Sequence, residues 1–262
     1  MTTYQNLEIV RAGAIATIWM NRPERHNAFD EQLIAELKKS FVELDEDSTV
    51  RVIVLAGRGA SFSAGGDLNW MKRQAQADLA ANIEDAHALA HMLRTLYRCS
   101  KPTVARVHGA ALGGGMGLVA ACDIALASSE AQFGTTEVRV GLIPATIGPY
   151  VLAAMSARSA RRYFQTGERF SAAEALRIGF VHETVAPEVL DIRLKIVLDA
   201  LLAAGPKAQA AAKGLIADLD SRRPDAYDVL EETARSIATI RATPEGREGI
   251  GAFLEKRKPV WN

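Results

Sequence analysis

Ser61-Phe-Ser-Ala-Gly-Gly-Asp-Leu68 is the most informative stretch of this sequence, and it directly follows the segment Val50–Ala56. That preceding segment has the short, Val- and Ile-rich pattern of a strand. The adjacent Gly65 and Gly66 permit unusual backbone dihedrals and allow backbone N–H groups to approach a ligand closely. Glycine pairs also commonly mark strand ends, so the stretch is interpreted either as a plain turn or as a ligand-binding loop.

A second glycine-rich stretch, His108-Gly-Ala-Ala-Leu-Gly-Gly-Gly-Met-Gly-Leu118, follows the strand-like segment Thr103–Val107 and precedes an apolar, helix-like run. Glycine inside a helix costs roughly 1 kcal/mol relative to alanine, so this many glycines need a reason. One reason is tight helix packing in the core, and the other is a helix N-terminus whose N–H groups bind negative charge. Two such turns after two strands suggest two backbone donors converging on one oxygen, which is an oxyanion hole.

Glu137 is the candidate acid or base, and it lies in the third stretch, Ala131-Gln-Phe-Gly-Thr-Thr-Glu-Val-Arg-Val-Gly-Leu-Ile-Pro144. Apolar neighbours disfavour the charged form of a carboxylate, which suits it to proton transfer. The alternative is an ion pair between Glu137 and Arg139 on a solvated face, and the sequence leaves both interpretations open.

Strands and helices alternate along the first part of the chain, which predicts an α/β architecture. The predicted strands are Ala14–Trp19, Val50–Ala56, Thr103–Val107 and Asp123–Ala127. Helical periodicity predicts helices at Asp30–Leu44, with Asp30 as N-cap, and at Leu79–Tyr97.

The chain after about residue 190 contains no strand pattern. Helices are predicted at Asp191–Ala204, from Pro206 onward, and from Pro224 to Ile240. We therefore predict an α/β core over residues 1–190 and a helical region over residues 191–262. The aromatic and basic end, Phe253–Trp261, could complete the core, pack on another subunit or close over a ligand.

Composition excludes several classes of protein. The 262 residues hold 31 Lys and Arg against 31 Asp and Glu, so no basic field favours nucleic acid or an anionic membrane. The segment Met1–Gly13 lacks the apolar run of a signal peptide, and the glycines and Asp123 make Ala110–Ala127 a poor membrane span. The two cysteines, Cys99 and Cys122, form no disulfide framework, so we expect a cytoplasmic protein.

Metal and dinucleotide binding are also disfavoured. His87 and His91 are spaced for one face of a helix, but Ala88 stands where a zinc-protease motif needs Glu. Leu118 stands where a dinucleotide fingerprint needs its last Gly or Ala. We predict no metal and no separate cofactor.

Together these motifs resemble the enoyl-CoA hydratase/isomerase, or crotonase, superfamily, from about residue 4 to Trp261. The motifs that carry the resemblance, in the order and spacing of the family, are Asn21-Arg-Pro-Glu-Arg-His-Asn-Ala28, Phe62-Ser-Ala-Gly-Gly-Asp-Leu68, His108-Gly-Ala-Ala-Leu-Gly-Gly-Gly115, Cys122-Asp123 and Phe133-Gly-Thr-Thr-Glu-Val-Arg-Val-Gly-Leu-Ile-Pro144. The resemblance implies a spiral of β-β-α turns with a helical C-terminal trimerisation region, and homotrimers that often pair into hexamers. It also implies an acyl-CoA thioester substrate, in which coenzyme A is part of the substrate.

The resemblance also assigns roles to residues. Gly66 and Gly114 match the residues whose N–H groups hold the thioester oxygen, and Glu137 matches a catalytic glutamate. The residues that match the acyl-CoA-binding positions are Arg25, His26, Ala28, Ala64, Gly65, Asp67, Leu68, Phe253 and Lys256. Phe253 and Lys256 resemble an aromatic and basic pair that commonly reaches coenzyme A from a neighbouring subunit.

One departure from the family pattern concerns Gly117, which stands where typical hydratases carry a first catalytic glutamate. Members with a single glutamate at the Glu137 position include double-bond isomerases and hydratases of unusual acyl chains. The sequence around Glu137 and the segment Ala160-Arg-Arg-Tyr163 resemble those of methylglutaconyl-CoA and isohexenylglutaconyl-CoA hydratases of leucine and terpene breakdown. We therefore expect hydration of an enoyl-CoA, with 3-enoyl to 2-enoyl isomerisation as the alternative. A thioesterase or a non-catalytic acyl-CoA-binding protein is a third class.

Overall fold

Two β-sheets form the frame of the molecule, whose computed structural model describes residues 4–220 and 222–261. The strands are β1 (Leu7–Ala12), β2 (Ile15–Met20), β3 (Val52–Gly57), β4 (Thr103–Val107), β5 (Ala110–Leu112), β6 (Ile124–Ser128), β7 (Gln132–Gly134), β8 (Phe170–Ser171) and β9 (Glu183–Val185). The large sheet has the order β1-β2-β3-β4-β6-β9, and the small sheet has the order β5-β7-β8. In the large sheet β1 and β2 are antiparallel, and the other neighbours are parallel.

Helices cover the sheets, and the last of them ends at Leu254. They are α1 (Glu31–Glu46), α2 (Leu68–Gln76), α3 (Leu79–Arg98), α4 (Gly114–Ala121), α5 (Gly148–Ala154), α6 (Ala157–Thr166), α7 (Ala172–Arg177), α8 (Leu190–Ala203), α9 (Pro206–Leu219), α10 (Tyr227–Ala242) and α11 (Pro244–Leu254). Short 3₁₀ helices lie at Pro23–Arg25, Glu137–Val140 and Pro187–Val189.

The chain winds as a spiral in which a strand of the large sheet is followed by a strand of the small sheet and then a helix. The turn that best shows this unit is β4, β5 and α4, and β6 and β7 repeat the step between the sheets. The spiral of β-β-α turns was implied by the family resemblance, so the predicted fold class is confirmed.

The core lies on both faces of the large sheet. All six residues of β3 are buried, as expected for a parallel strand that is covered on both sides. One face packs against α1 through Leu33, Leu37 and Phe41, and Asp30 caps that helix by accepting the N–H of Leu33 at 2.8 Å. The other face packs against α8 through Leu190, with further apolar residues of the same helix.

The predicted strands and long helices agree with the structure to within a few residues at each end. In the C-terminal part, α8 and α9 lie where they were predicted, and no strand follows Val185 in the described residues. The predicted helix start at Pro224 is wrong, because Ala226 has the extended backbone of an N-cap and α10 begins at Tyr227. Pro224 instead lies in a turn, in which the N–H of Ala226 donates to the carbonyl of Arg223 at 3.2 Å.

The division at residue 190 stays a prediction. The helix α8 packs directly on the large sheet, whereas α11 packs on α9 and α10. Residues 1–3, 221 and 262 lie outside the described residues. The first three of them belong to the segment Met1–Gly13. Within the described ranges, no helix is both long enough and apolar enough to span a membrane.

Candidate active site

The two glycine-rich loops lie side by side because the first one pairs with β5. Ser63 forms a parallel bridge with Ala111, and the N–H of Leu112 donates to the carbonyl of Ser63 at 2.9 Å. The backbones approach so closely that a Cβ added to Gly65 would lie 3.2 Å from the carbonyl oxygen of Leu112 and 3.9 Å from the Cα of Gly113. Gly65 and Gly113 both have positive φ, at 94° and 50°, which explains the glycine requirement at this contact.

The N–H groups of Gly66 and Gly114 are available to a ligand. Neither N–H donates a hydrogen bond within residues 4–220 and 222–261. Gly114 is the first residue of α4, where helix geometry leaves N–H groups unpaired and the helix dipole favours negative charge. Both residues are partly exposed, whereas Gly65 and Gly113 are buried. Two unpaired, accessible donors on touching loops are the arrangement expected of an oxyanion hole.

Phe29 connects the two loops. Its N–H donates to the carbonyl of Gly65 at 2.7 Å, and its carbonyl accepts the N–H of Asp67 at 2.8 Å, so its backbone brackets Gly66. Its ring packs against the other loop, where a Cβ added to Gly114 would lie 2.5 Å from Cε2 of the ring. Phe29 is 1% exposed. One buried residue therefore fixes the relative position of both unpaired donors.

Glu137 enters the site from the next turn of the spiral. It begins the 3₁₀ helix that follows β7, and the carbonyl of Gly134 at the end of β7 accepts the N–H of Gly113 at 2.9 Å. A Cβ added to Gly113 would lie 3.2 Å from Oε1 of Glu137. The carboxylate therefore lies against the loop that carries Gly114.

The carboxylate of Glu137 is desolvated and has no ionic partner among the described residues. Its Oε2 atom is buried and accepts no hydrogen bond from any described residue. Burial raises the pKa of Glu137 above the ordinary glutamate value. Arg139 is exposed and forms no ion pair with Glu137 among the described residues. Of the two interpretations of Glu137, the geometry favours proton transfer over a solvated ion pair.

The raised pKa of Glu137 predicts a stability change in Glu137→Gln. Since folding raises this pKa, the folded state favours the protonated form, and the stability that this provides is lost as pH rises through the folded-state pKa. The Gln variant should therefore melt above the wild type at pH 8. The difference should shrink toward zero below the ordinary pKa of glutamate. Thermal unfolding at several pH values measures it, and a lower melting temperature for the variant at pH 8 would contradict it.

The loop that was matched to coenzyme A packs beside the first glycine loop. The N–H of Ala64 donates to the carbonyl of His26 at 2.9 Å, and Nδ1 of His26 lies 3.1 Å from Oγ of Ser61. Arg25 and His26 are exposed, and Ala28 is buried beneath them. The structure thus brings together Arg25, His26, Ala28 and Ala64 at one edge of the site.

Asp67 and Leu68 differ in what they offer a ligand. The Asp67 carboxylate accepts the N–H groups of Asn69 and Trp70 at the start of α2 and lies 3.4 Å from the guanidinium of Arg22. Its side chain is only 7% exposed, so it holds the loop after Gly66 in place. Leu68 is 75% exposed at the start of α2.

Phe253 and Lys256 lie apart from the glycine loops within the described chain. They stand at the end of α11, which packs on α9 and α10. Helix α9 lies near the amino ends of the parallel strands, where Nζ of Lys213 binds Asp123 at 2.8 Å. The glycine loops follow the carboxyl ends of β3 and β4, so they lie at the opposite ends of the strands. Phe253 is 81% exposed.

Asn27 and Phe29 were not predicted from the sequence. Asn27 is fully buried with φ 53°, and its side-chain amide donates to the carbonyls of Arg58 and Ser61 at 2.9 and 2.8 Å. Its Oδ1 accepts the N–H of Arg22 at 2.9 Å, which closes the loop on itself. Asn tolerates the left-handed region better than other non-glycine residues, and this was the one available signal.

Known proteins are similar to this chain over nearly its whole length. The family model described as enoyl-CoA hydratase/isomerase matches residues 11–262. A crystal structure of an enoyl-CoA hydratase from Shewanella pealeana superposes with a TM-score of 0.94 at 40% identity, covering 98% of this chain and 96% of that one. A crotonyl-CoA hydratase of Syntrophomonas wolfei is 31% identical over 97% of both chains. An (E)-benzylidenesuccinyl-CoA hydratase of Thauera aromatica is 32% identical over 94% of this chain and 95% of its own.

These matches agree with the geometry. Both glycine loops and Glu137 fall inside the part of the chain that the family model covers. A thioester oxygen is the kind of group that two unpaired N–H donors on adjacent loops would hold. The chain belongs to the enoyl-CoA hydratase/isomerase family, the crotonase superfamily.

Proposed function

We propose that this protein adds water to a 2-enoyl-CoA whose acyl chain carries a second carboxylate, as in glutaconyl-CoA. The observation that carries the proposed hydration is the buried, unpartnered Oε2 of Glu137 beside the loop of Gly114, whose N–H is unpaired. A thioester oxygen held by the N–H groups of Gly66 and Gly114 leaves the double bond facing this carboxylate.

Each step of the proposed reaction uses groups of this site. The ionised Glu137 takes a proton from water as the water oxygen bonds to C3 of the enoyl group. The electrons of the double bond move to the thioester oxygen, and the N–H groups of Gly66 and Gly114 stabilise the resulting enolate. Glu137 then returns the proton to C2, which gives the 3-hydroxyacyl-CoA. Its raised pKa suits it to both halves of this cycle.

The second carboxylate of the substrate compensates for Gly117. Typical hydratases use two glutamates, and residue 117 of this chain has no side chain to contribute. In a glutaconyl group the free carboxylate lies close to C3, where it can accept a hydrogen bond from the attacking water. The relative named for benzylidenesuccinyl-CoA supports this substrate class, since a succinyl thioester also carries a second carboxyl group.

A substrate panel tests the proposal. Purified protein is assayed with 2-enoyl- and 3-enoyl-CoA thioesters, each with and without the second carboxylate. Hydration should be fastest with the 2-enoyl thioester that carries the carboxylate. Preference for the 3-enoyl thioesters would support isomerisation instead. That reaction also needs only one base, which Glu137 could supply. Release of free coenzyme A alone would contradict both reactions.

We also propose a homotrimer or a pair of trimers, in which the C-terminal helices reach a neighbouring subunit. Apolar side chains are exposed along these helices, namely Ile216, Tyr227, Leu230, Ile237, Ile250, Phe253 and Leu254. Exposed apolar side chains also follow Gly66 and Glu137 along the chain, namely Leu68, Val140, Leu142 and Ile143. Exposed apolar patches of this kind mark interaction surfaces. In such an assembly Phe253 and Lys256 would reach coenzyme A bound to the neighbour.

Light scattering measures the assembly directly. The mass should be about three or six times that of one chain. A monomer at micromolar concentration would contradict the proposal and would leave Phe253 and Lys256 without a role in binding.

A further inference from the structure

Gly117 lies in α4, one turn after the loop against which Glu137 packs. Its N–H donates to the carbonyl of Gly113 at 3.1 Å, so the two residues are one helical turn apart. A Cβ on Gly113 would lie 3.2 Å from Oε1 of Glu137, so α4 begins beside this carboxylate. Residue 117, where typical hydratases carry their first glutamate, lies one turn further into this helix.

Ile147 occupies the space that such a side chain would need. A Cβ added to Gly117 would lie 2.3 Å from Cγ2 and 2.8 Å from Cβ of Ile147. These separations are far shorter than a carbon–carbon contact, so even a methyl group does not fit unless the neighbour moves. The space that a side chain at residue 117 would need is therefore not empty, because Ile147 fills it.

The side chain of Ile147 has little freedom to move away. It is 2% exposed within the main hydrophobic core. Its carbonyl accepts the N–H groups of Tyr150 and Val151 at 3.1 and 3.0 Å, which fixes its backbone at the start of α5. A β-branched side chain also has a restricted χ1.

We infer that Ile147 is the residue that restricts this site to a single catalytic carboxylate. It acts by packing against Gly117, so it is a positioning residue that touches no reacting atom. The inference deepens the proposed function and rests on it, because it explains why ordinary enoyl thioesters, which bring no carboxylate of their own, should be poor substrates. It also predicts that Gly117 and Ile147 must change together before a second carboxylate can enter the site.

Thermal unfolding tests the packing without reference to activity. Gly117→Ala should lower the melting temperature by several degrees, and combining it with Ile147→Ala should cost less than the sum of the two single changes. Gly214→Ala is the matched control, since a Cβ on Gly214 of α9 meets no atom within 4 Å and alanine favours a helix. That control should melt at or above the wild-type temperature. Additive losses, or a Gly117→Ala protein with wild-type stability, would overturn the inference.

Activity tests the consequence for chemistry. Gly117→Glu alone should be destabilised and inactive, whereas Gly117→Glu with Ile147→Gly should hydrate crotonyl-CoA about 10-fold or more faster than Ile147→Gly alone. A folded double variant without this gain would overturn the inference, as would a stable, more active Gly117→Glu single variant. If the wild type hydrates no enoyl thioester, the proposed function fails, while the melting temperatures still decide whether Ile147 closes this position.

Discussion

Glu137→Gln should lower turnover about 10²- to 10⁴-fold while acetoacetyl-CoA, an enolate-like thioester, still binds. The amide keeps the size of the carboxylate but takes no proton from water, and Oε2 of Glu137 is the buried, unpartnered acceptor of the site. Turnover is measured with the best substrate of the panel. Binding is measured as the rise in melting temperature that the ligand produces by stabilising the folded state.

Two control variants separate this effect from a general change of charge. Glu130→Gln removes an exposed carboxylate on the loop between β6 and β7, so turnover should stay at the wild-type level. Arg139→Gln should also retain turnover, because Arg139 forms no ion pair with Glu137 in the described chain. Full activity in Glu137→Gln would show that another residue moves the proton, and the one-glutamate mechanism would be wrong.

The second large effect concerns the N–H of Gly114. Gly114→Pro removes this donor at the first position of α4, where proline is well accommodated by the backbone. Any side chain here also presses on the ring of Phe29, since the added Cβ would lie 2.5 Å from it. Gly114→Ala places the same Cβ against this ring but keeps the N–H, so it is the matched control. Turnover of the Pro variant should be about 10²- to 10³-fold below that of the Ala variant.

The ratio of turnover between these two variants decides whether the N–H of Gly114 acts in the reaction. If Pro and Ala reduce turnover equally, the loss comes from displacement of Phe29, and the amide of Gly114 does not hold the thioester oxygen. The melting temperatures of both variants show how far the contact with Phe29 destabilises the protein.

The sequence predicted those elements whose signal is local. Val50–Ala56 and Thr103–Val107 were recognised as strands because they are short and rich in Val, Ile or Thr. Asp30–Leu44 was recognised by its cap and its apolar face. The strands β5, β7 and β8 are two or three residues long, too short for an alternating pattern to appear, and they exist through pairing with distant residues.

The site was predictable only in part, for the same reason. The glycine loops and Glu137 could be found from residue type and spacing, and the structure brings them together. The roles of Phe29 and Ile147 could not be found, because each acts through a glycine that is distant in sequence. From the sequence alone, Gly117→Glu looks like a simple restoration of a second carboxylate. The contact with Ile147 shows that it is not.

Reaction in ¹⁸O-labelled water tests the central claim most directly, which is that Glu137 and the two glycine loops add water across the double bond of an enoyl thioester. The best substrate of the panel is incubated with the wild type and with Glu137→Gln, and the products are analysed by mass spectrometry. We predict a 3-hydroxyacyl-CoA that carries ¹⁸O on C3 with its thioester intact, formed by the wild type and almost lost in the variant. A double-bond isomer without ¹⁸O, or a free acid that carries ¹⁸O alongside released coenzyme A, would contradict the account.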